Sequence, residues 1–261
     1  MPIALTRPVS DSLAQCELTH LERTPIDVDR ARAQHRAYEQ ALADLGCRVE
    51  RLPAEPDLPD AVFCEDAAIV LDELALIARP GAPSRRPEVP SVAQALARYR
   101  DLAEIQAPGT LDGGDVLRVG RTIYVGLSQR TNSAAVEQMV ALLSPLGYSV
   151  RGVPVTGCLH LKSAVTEVAP GTLLVHRSWI DAVPGTGCPL DGSLIDVDPG
   201  EPFAANALRI GDAVLYAAAY PRTRARLRAH GIDVRTVDVS ELAKAEGAVT
   251  CCSLILWNTG Q

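Results

Sequence analysis

Residues 146–150 read LGYSV, in which a glycine is followed directly by residues that favour a β-strand. An apolar pattern typical of a helix precedes the glycine, which stands where helices commonly end in the left-handed conformation. The same arrangement occurs at residues 45–49 (LGCRV) and 230–234 (HGIDV), with a weaker copy at residues 102–105 (LAEI). A helix that ends at glycine and continues at once as a strand therefore recurs along this chain.

The spacing of these junctions predicts a repeated structural unit. Successive junctions lie about 40 to 60 residues apart, except for the last interval, which is about twice as long as a single unit. One unit of similar length has therefore lost its junction signature. The missing copy falls near Cys188.

Each unit is predicted to run strand, turn, strand, helix. Short apolar runs on both sides of a turn are typical of hairpins. The predicted hairpins pair residues 67–71 with 74–78, 116–119 with 122–125, and 207–210 with 213–217. The predicted helices cover residues 28–45, 92–102, 133–143 and 222–229.

The two ends of the chain complete this arrangement. A strand is predicted at residues 3–6, and the last strand, at residues 251–256, would complete the first unit. Five ββαβ-like units arranged radially would bury the strand edges that isolated units leave open. An open α/β sheet is the alternative. No linker divides the chain, so we predict that residues 1–261 form a single domain.

The composition argues against several classes of protein. Of the 261 residues, 47% are hydrophobic, which is enough for a sizeable core. The net charge of −7 argues against a nucleic-acid surface and permits a cationic ligand. No apolar run approaches the roughly 20 residues of a membrane span. The seven cysteines are odd in number and lack the paired spacing of a zinc site, which favours reduced thiols. We therefore expect a soluble, cytoplasmic protein.

Two adjacent thiols, Cys251 and Cys252, lie in an apolar segment near the end of the chain. A thiol becomes a useful nucleophile when a base or a cation favours its thiolate, so a catalytic cysteine needs a partner. His160, in residues 157–163 (GCLHLKS), is the best candidate. A lone histidine or a lone buried cysteine is more often structural, and at this point that interpretation stays open.

Acidic and arginine-containing segments supply the other candidate groups. Residues 60–66 (DAVFCED) place three carboxylates around an apolar segment. Residues 111–116 (LDGGDV) place two around a glycine pair, which allows close backbone approach or a positive φ. Two further segments, residues 78–86 and 126–132, contain arginines. The planar donors of an arginine would suit a carboxylate ligand. Each acidic cluster could equally be a turn, and each arginine could simply face solvent.

Taken together, six segments resemble the dimethylarginine dimethylaminohydrolases, within the guanidino-group-modifying amidinotransferase and deiminase superfamily. They are residues 62–66 (VFCED), 79–86 (RPGAPSRR), 111–117 (LDGGDVL), 125–132 (VGLSQRTN), 159–163 (LHLKS) and 250–253 (TCCS). The resemblance runs from Leu5 to Ile255 and implies an α/β fold, the five-bladed α/β propeller called a pentein, with pseudo-fivefold ββαβ units around a central site. Two positions depart from a fixed family pattern. Cys64 stands where relatives vary, and some relatives carry glutamate at the position of Asp112.

The resemblance also implies roles for individual residues of this single catalytic domain. The nucleophile is Cys251, the acid/base is His160, and Asp112 orients the histidine. Cys252 should point to the opposite face, because side chains alternate along a strand. The residues implied in substrate binding are Leu18 on a lid loop, Asp60, Glu65, Asp66, Arg85, Arg130 and the backbone near Ala245.

The activity implied is hydrolysis of an Nω-methylated arginine to citrulline and a methylamine. Asp60 and Glu65 would hold the guanidinium, and Asp66 would lie near the amino end. Arg85 and Arg130 would hold the α-carboxylate. The implied partner is thus a small molecule, with no nucleic acid and no membrane, and a homodimer stays open.

No metal or organic cofactor is implied by the resemblance. Zinc would act only as an inhibitor, by engaging Cys251 and His160.

Three alternative functions remain at this stage. An arginine deiminase would use the same attack and expel ammonia, but such enzymes resemble longer chains with an inserted helical domain. An amidinotransferase of the same fold would pass the amidino group to an amine. A non-enzymatic sensor of arginine derivatives would use the acidic pocket without turnover, although a binder does not need an activated thiol.

Overall fold

The computed structural model describes residues 1–180 and 190–257. Within these ranges, fifteen strands form five three-stranded sheets. The strands are β1 Ile3–Thr6, β2 Arg48–Arg51, β3 Ala68–Val70, β4 Leu74–Ile77, β5 Asp101–Glu104, β6 Val116–Val119, β7 Thr122–Leu127, β8 Ser149–Pro154, β9 Val165–Ala169, β10 Thr172–Val175, β11 Ser193–Asp196, β12 Ala207–Ile210, β13 Ala213–Ala217, β14 Asp233–Val237 and β15 Leu254–Leu256. The helices are α1 Val28–Asp44, α2 Val89–Leu96, α3 Ser133–Leu143, α4 Leu161–Ala164, α5 Pro221–Ala229 and α6 Ser240–Ala243.

All five sheets share one topology. In four of them an antiparallel hairpin is followed by a third strand that pairs parallel to the second strand of the hairpin: β3-β4-β5, β6-β7-β8, β9-β10-β11 and β12-β13-β14. In the remaining sheet, β15 pairs antiparallel to β1, which pairs parallel to β2. The end of the chain thus supplies the first strand of the first unit. The predicted α/β fold of five ββαβ units is confirmed.

The three glycine junctions share one hydrogen-bonding pattern. Gly46, Gly147 and Gly231 have φ values of 88°, 81° and 80°. In each case the residue after the glycine donates its N–H to a carbonyl five residues earlier, as at Cys47 to Leu42 over 3.0 Å. This is the Schellman arrangement, which ends a helix and turns the chain toward the next strand. The sequence pattern at residues 146–150 therefore marks the point where each of these units turns back to its sheet.

The helix end predicted at the weaker junction, residues 102–105, is wrong. The predicted helix at residues 92–102 starts earlier, at Val89, and ends at Leu96. Leu102 instead lies in β5, which pairs with β4 at the edge of its sheet. Leu102, Ala103 and Glu104 favour helices as isolated residues, but pairing with β4 overrides that preference.

The unit for which the sequence shows no junction is the sheet of β9, β10 and β11. This agrees with the prediction that one unit lies between the second and third glycine junctions. Cys188, the residue named for it, lies outside the described residues.

The core lies between the helices and the sheets. In α3 the buried residues Ala135, Met139 and Leu143 are four residues apart, so they form one stripe. They pack in a cluster that includes Ile123 and Val125 of β7. Among the described residues, no helix has both the length and the apolar character needed to cross a membrane.

Candidate active site

A small cavity collects most of the residues that the sequence predicts to be functional. It is lined by Glu17, Asp60, Phe63, Asp66, Arg85, Arg130, Leu159, His160, Ala245, Glu246, Gly247 and Cys251. These residues come from loops and helix ends of several units, which explains why they are far apart in sequence. Leu18, Glu65 and Asp112 are the predicted site residues that do not line this cavity.

Cys251 lies in a turn and not in the strand predicted at residues 251–256. Its N–H donates to the carbonyl of Ala248 over 3.2 Å, and β15 begins only at Leu254. Cys252 is fully buried in an apolar cluster, and the partly exposed Cys251 packs against the same cluster and also lines the cavity. The turn, and not strand alternation, separates the two side chains.

The Cys251 thiol is neutral in the unliganded site. Burial raises its pKa to about 12, and the negative charges of Glu65 and Asp66 act in the same direction. A cationic ligand next to the sulfur would act in the opposite direction, because it stabilises the thiolate. Ionisation of this thiol therefore depends on what occupies the cavity.

His160 lies between two carboxylates. Its Nε2 is 3.1 Å from Oδ2 of Asp112, and its Nδ1 is 3.9 Å from Oδ1 of Asp66. Burial disfavours the imidazolium, but the nearby carboxylates outweigh this effect and raise the pKa of His160 to about 9. In order of their effect, these carboxylates are Asp66, Asp115 and Asp112. His160 is therefore a charged proton donor at neutral pH.

Asp112 is fully buried and held from two sides. Its Oδ1 accepts the N–H of Gly81 over 2.9 Å, which leaves Oδ2 for the histidine. Nη1 of Arg130 lies 3.5 Å from the same Oδ2. This arrangement fixes the orientation of the imidazole ring, as the third member of a catalytic triad does.

The glycine pair beside Asp112 is required by close packing. A Cβ atom at Gly114 would lie 2.5 Å from Nδ1 of His160, and one at Gly113 would collide with the carbonyl oxygen of Glu65. The N–H of Gly114 donates to Asp66 over 2.9 Å. Of the two explanations open for these glycines, close approach is the correct one.

Asp115 holds the backbone next to His160. It accepts the N–H of Leu161 over 2.9 Å and the hydroxyls of Ser128 and Thr131 over 2.6 and 2.7 Å. Burial raises its pKa to about 6. Because Leu161 directly follows His160, these bonds hold the backbone that carries the imidazole.

Most N–H donors of the Arg85 guanidinium are already bonded to other groups of the protein. Its Nη1 donates to Asp66 over 2.6 Å, and its Nε and Nη2 donate to Glu88 over 3.2 and 2.9 Å. Nη2 also donates to the carbonyl of Phe63 over 3.1 Å. Burial raises the pKa of Glu88 to about 7. Arg85 therefore has little remaining capacity for a ligand.

Arg130, in contrast to Arg85, has a donor nitrogen that is free to bind a ligand. Its Nη1 is buried and has no hydrogen-bond partner among the described residues. Its Nη2 donates to Oγ1 of Thr19 over 2.9 Å. Since a buried unpaired donor is costly, Nη1 is a site that an anionic ligand group would satisfy.

Glu65 does not line this cavity, and its predicted contact with a guanidinium stays a prediction. Its Oε1 accepts from Nζ of Lys162 over 2.6 Å, and its Oε2 accepts from Oγ1 of Thr250 over 2.8 Å. It lines a second, larger cavity that shares no lining residue with the first. Through Thr250, Glu65 instead supports the turn that carries Cys251.

The loop of residues 16–24, called the lid loop below, lies at the edge of the cavity. Glu17 lines the cavity, and its N–H donates to Asp60 over 3.0 Å. Burial raises the pKa of Asp60. Leu18 is half-buried and packs against an apolar cluster.

Several cavity residues were not predicted from the sequence. These are Glu17, Phe63, Leu159, Glu246 and Gly247. Phe63 and Leu159 lie inside two of the six segments that carry the family resemblance, so their position next to predicted site residues was a usable signal. Glu17 and Glu246 lie in charged surface-like segments, where sequence gives no such signal.

Asp66, Asp112 and His160 could by their geometry hold a divalent cation, since their ligand atoms all lie within 4.8 Å of one another. Arg85 already pairs with Asp66, however, and Arg130 approaches Asp112. The positive charge next to both carboxylates disfavours a dication and suits a planar, singly charged group better.

Comparisons with known proteins agree with this geometry. Residues 15–182 match the family model described as N,N dimethylarginine dimethylhydrolase, eukaryotic. The chain is 44% identical to an N(G),N(G)-dimethylarginine dimethylaminohydrolase from Streptomyces coelicolor, over 97% of this chain and 96% of the relative. The chain belongs to the dimethylarginine dimethylaminohydrolase family.

Other members of the dimethylarginine dimethylaminohydrolase family extend the likeness. The Pseudomonas aeruginosa enzyme is 35% identical, over 87% of this chain and 89% of the relative. A solved structure of the same bacterium's enzyme, a cysteine-to-serine mutant complexed with citrulline, matches with a TM-score of 0.90 and 33% identity. It covers 97% of this chain and 98% of that one. The five-bladed fold of the dimethylarginine dimethylaminohydrolases is therefore that of this protein.

Proposed function

We propose that this protein hydrolyses Nω-methylated arginine, both dimethylarginine and monomethylarginine, to citrulline and dimethylamine or methylamine. One observation carries the proposal: Cys251 and the buried His160, which is bonded to Asp112, line one small cavity with acidic and arginine side chains. The family and the citrulline bound to its Pseudomonas aeruginosa member support the choice of substrate.

The substrate's guanidinium is assigned to Asp66. This carboxylate lines the cavity and flanks His160, which must reach the leaving nitrogen, so it is placed to fix the reacting group. Asp60 and the backbone of Ala245, which also line the cavity, are assigned to the α-ammonium. Arg130 is assigned to the α-carboxylate because its Nη1, although 3.5 Å from Asp112, has no hydrogen-bond partner among the described residues, and Arg85 acts mainly by holding Asp66.

The first chemical step forms a bond between sulfur and carbon. The bound guanidinium stabilises the Cys251 thiolate, so the thiol loses its proton to solvent and the thiolate attacks the central guanidinium carbon. The His160 imidazolium then donates its proton to the methylated nitrogen, and the carbon–nitrogen bond breaks to release the amine. A covalent thiouronium remains on Cys251.

The second step reverses the roles. Neutral His160 takes a proton from water, and the resulting hydroxide attacks the thiouronium carbon. The carbon–sulfur bond breaks, the hydroxyl proton of the intermediate passes to the departing sulfur, and citrulline leaves. Cys251 thereby returns as a thiol beside a protonated His160. Asp112 stabilises the imidazolium at both ends of the cycle.

A substrate panel with products identified by mass tests this proposal. Dimethylarginine and monomethylarginine are expected to give citrulline with dimethylamine and methylamine. Turnover of arginine alone, with release of ammonia, would indicate a deiminase. Loss of the amidino group to an added amine would indicate an amidinotransferase, and binding without any product would indicate a sensor.

The pH dependence of thiol reactivity is the second prediction. Because burial raises the pKa of Cys251 to about 12, the thiolate is a minority at every lower pH. Alkylation of Cys251 in the unliganded protein by a neutral haloacetamide should therefore accelerate about tenfold per pH unit from about pH 7 to about pH 10. Peptide mass analysis distinguishes Cys251 from the buried cysteines. A plateau in the rate below about pH 8 would contradict this prediction.

The remaining assignments concern the protein as a whole. We infer one catalytic domain over residues 1–261, a cytoplasmic location, and a small-molecule partner. Either a monomer or a homodimer is compatible with this proposal, because the residues assigned to the reaction all come from one chain.

A further inference from the structure

Glu246 makes three hydrogen bonds to the lid loop that the proposed chemistry does not use. Its Oε2 accepts the N–H of Thr19 over 3.0 Å. Its Oε1 accepts the N–H groups of His20 and Leu21, both over 2.6 Å. One carboxylate thus receives three consecutive backbone donors from a segment more than two hundred residues away.

The backbone at Glu246 is unfavourable for a glutamate. Among the described residues, Glu246 is the non-glycine residue with a positive φ, at 58°. A left-handed conformation is uncommon outside glycine and asparagine and costs free energy. Glycine at this position would relieve the strain, so the turn itself does not explain why a glutamate is present. The carboxylate and its three bonds do.

The lid loop connects this carboxylate to the substrate-binding residues. Thr19, which is held by Glu246 through its N–H, accepts Nη2 of Arg130 at its hydroxyl over 2.9 Å. Glu17, two residues earlier, donates its N–H to Asp60 over 3.0 Å. The residues assigned to the α-carboxylate and the α-ammonium are therefore both bonded to a loop that Glu246 holds in place.

We propose that Glu246 is a positioning residue that keeps the lid loop closed over the cavity of Cys251. Its effect on turnover rests on the proposed function, but its effect on the loop does not. The closed loop holds Arg130 and Asp60 in their binding positions and limits entry of water to the covalent intermediate. When the anchor is removed, only part of the population has a closed loop, and the apparent affinity for substrate falls by that fraction.

The test compares Glu246→Gln and Glu246→Gly with the wild type. Glutamine keeps the size of the side chain but has one acceptor oxygen and no charge. Glycine removes the acceptor and relaxes the turn. Hydrogen exchange at the amides of Thr19, His20 and Leu21 should accelerate about tenfold or more in both variants. Alkylation of Cys251 should accelerate in the same variants. The value of kcat/KM should fall about tenfold, mainly because KM rises.

Glu22→Gln is the matched control, because Glu22 is an exposed carboxylate on the same loop. It removes the same charge and should leave loop exchange and Cys251 alkylation as in the wild type. Unchanged amide exchange of the lid loop in both Glu246 variants would overturn the proposal. Slow exchange in Glu246→Gly together with fast exchange in Glu246→Gln would also overturn it. Faster loop exchange in a protein that forms no citrulline even as wild type would support the anchor and refute the proposed function.

Discussion

Cys251→Ser is expected to abolish citrulline formation, with a loss of at least about four orders of magnitude in kcat. A serine hydroxyl does not ionise in this pH range, and the bound cation that would stabilise a thiolate cannot produce an alkoxide. The serine is close in size, so the cavity and its hydrogen bonds should remain. Substrate binding measured by calorimetry should therefore persist while product formation is lost.

Cys252→Ala is the control for this variant. Cys252 is adjacent in sequence but fully buried in an apolar cluster, so its sulfur has no access to the cavity. Its replacement should lower the melting temperature, because a small void is left in the core, and should change kcat by less than about threefold. Citrulline production by Cys251→Ser, or its loss in Cys252→Ala at a temperature where that variant is folded, would refute the assignment of the nucleophile.

Most of the fold could be predicted from the sequence because its units repeat. The glycines at positions 46, 147 and 231 carry a backbone conformation that few other residues adopt, so the junctions are visible in the residue types. The junction near Leu102 has no glycine, and there the boundary was misplaced. Pairing with β4 decides that segment, and strand pairing between distant residues leaves no local pattern.

The candidate site was predicted less completely, for a geometrical reason. Glu65 and Asp66 are neighbours in a short 3₁₀ segment, yet one pairs with Lys162 beside the larger cavity and the other contacts His160 and Arg85 in the smaller one. Residue order cannot decide which of two adjacent carboxylates points to which side. The division of the chain into a single domain and the individual roles of the site residues stay predictions.

Glu88 and Glu246 show the second limit of sequence reasoning. Both act through contacts whose partners cannot be inferred from their own neighbours. Glu88 is buried against Arg85 although it lies beside a proline in a polar segment. Glu246 reaches a loop at the other end of the chain. A charged residue in a polar segment usually faces solvent, and nothing local marks these two as exceptions.

His160→Gly is expected to lower kcat by about three to four orders of magnitude, and added imidazole should restore part of it. The wild-type imidazole has two separate tasks, protonation of the leaving amine and activation of water, so both half-reactions lose their proton carrier. Glycine leaves a space next to Asp112 and Asp66 that has the shape and the negative surroundings of an imidazolium. Free imidazole is small enough to enter this space, whereas a bulky N-alkyl imidazole is too large and should not restore activity.

Two controls separate rescue from a general effect of imidazole. Imidazole should have no effect on the wild type, and it should not restore the activity of Cys251→Ser, because that variant lacks the nucleophile. Activity of the glycine variant close to that of the wild type would show that another group transfers the proton, and the acid/base assignment would then be wrong.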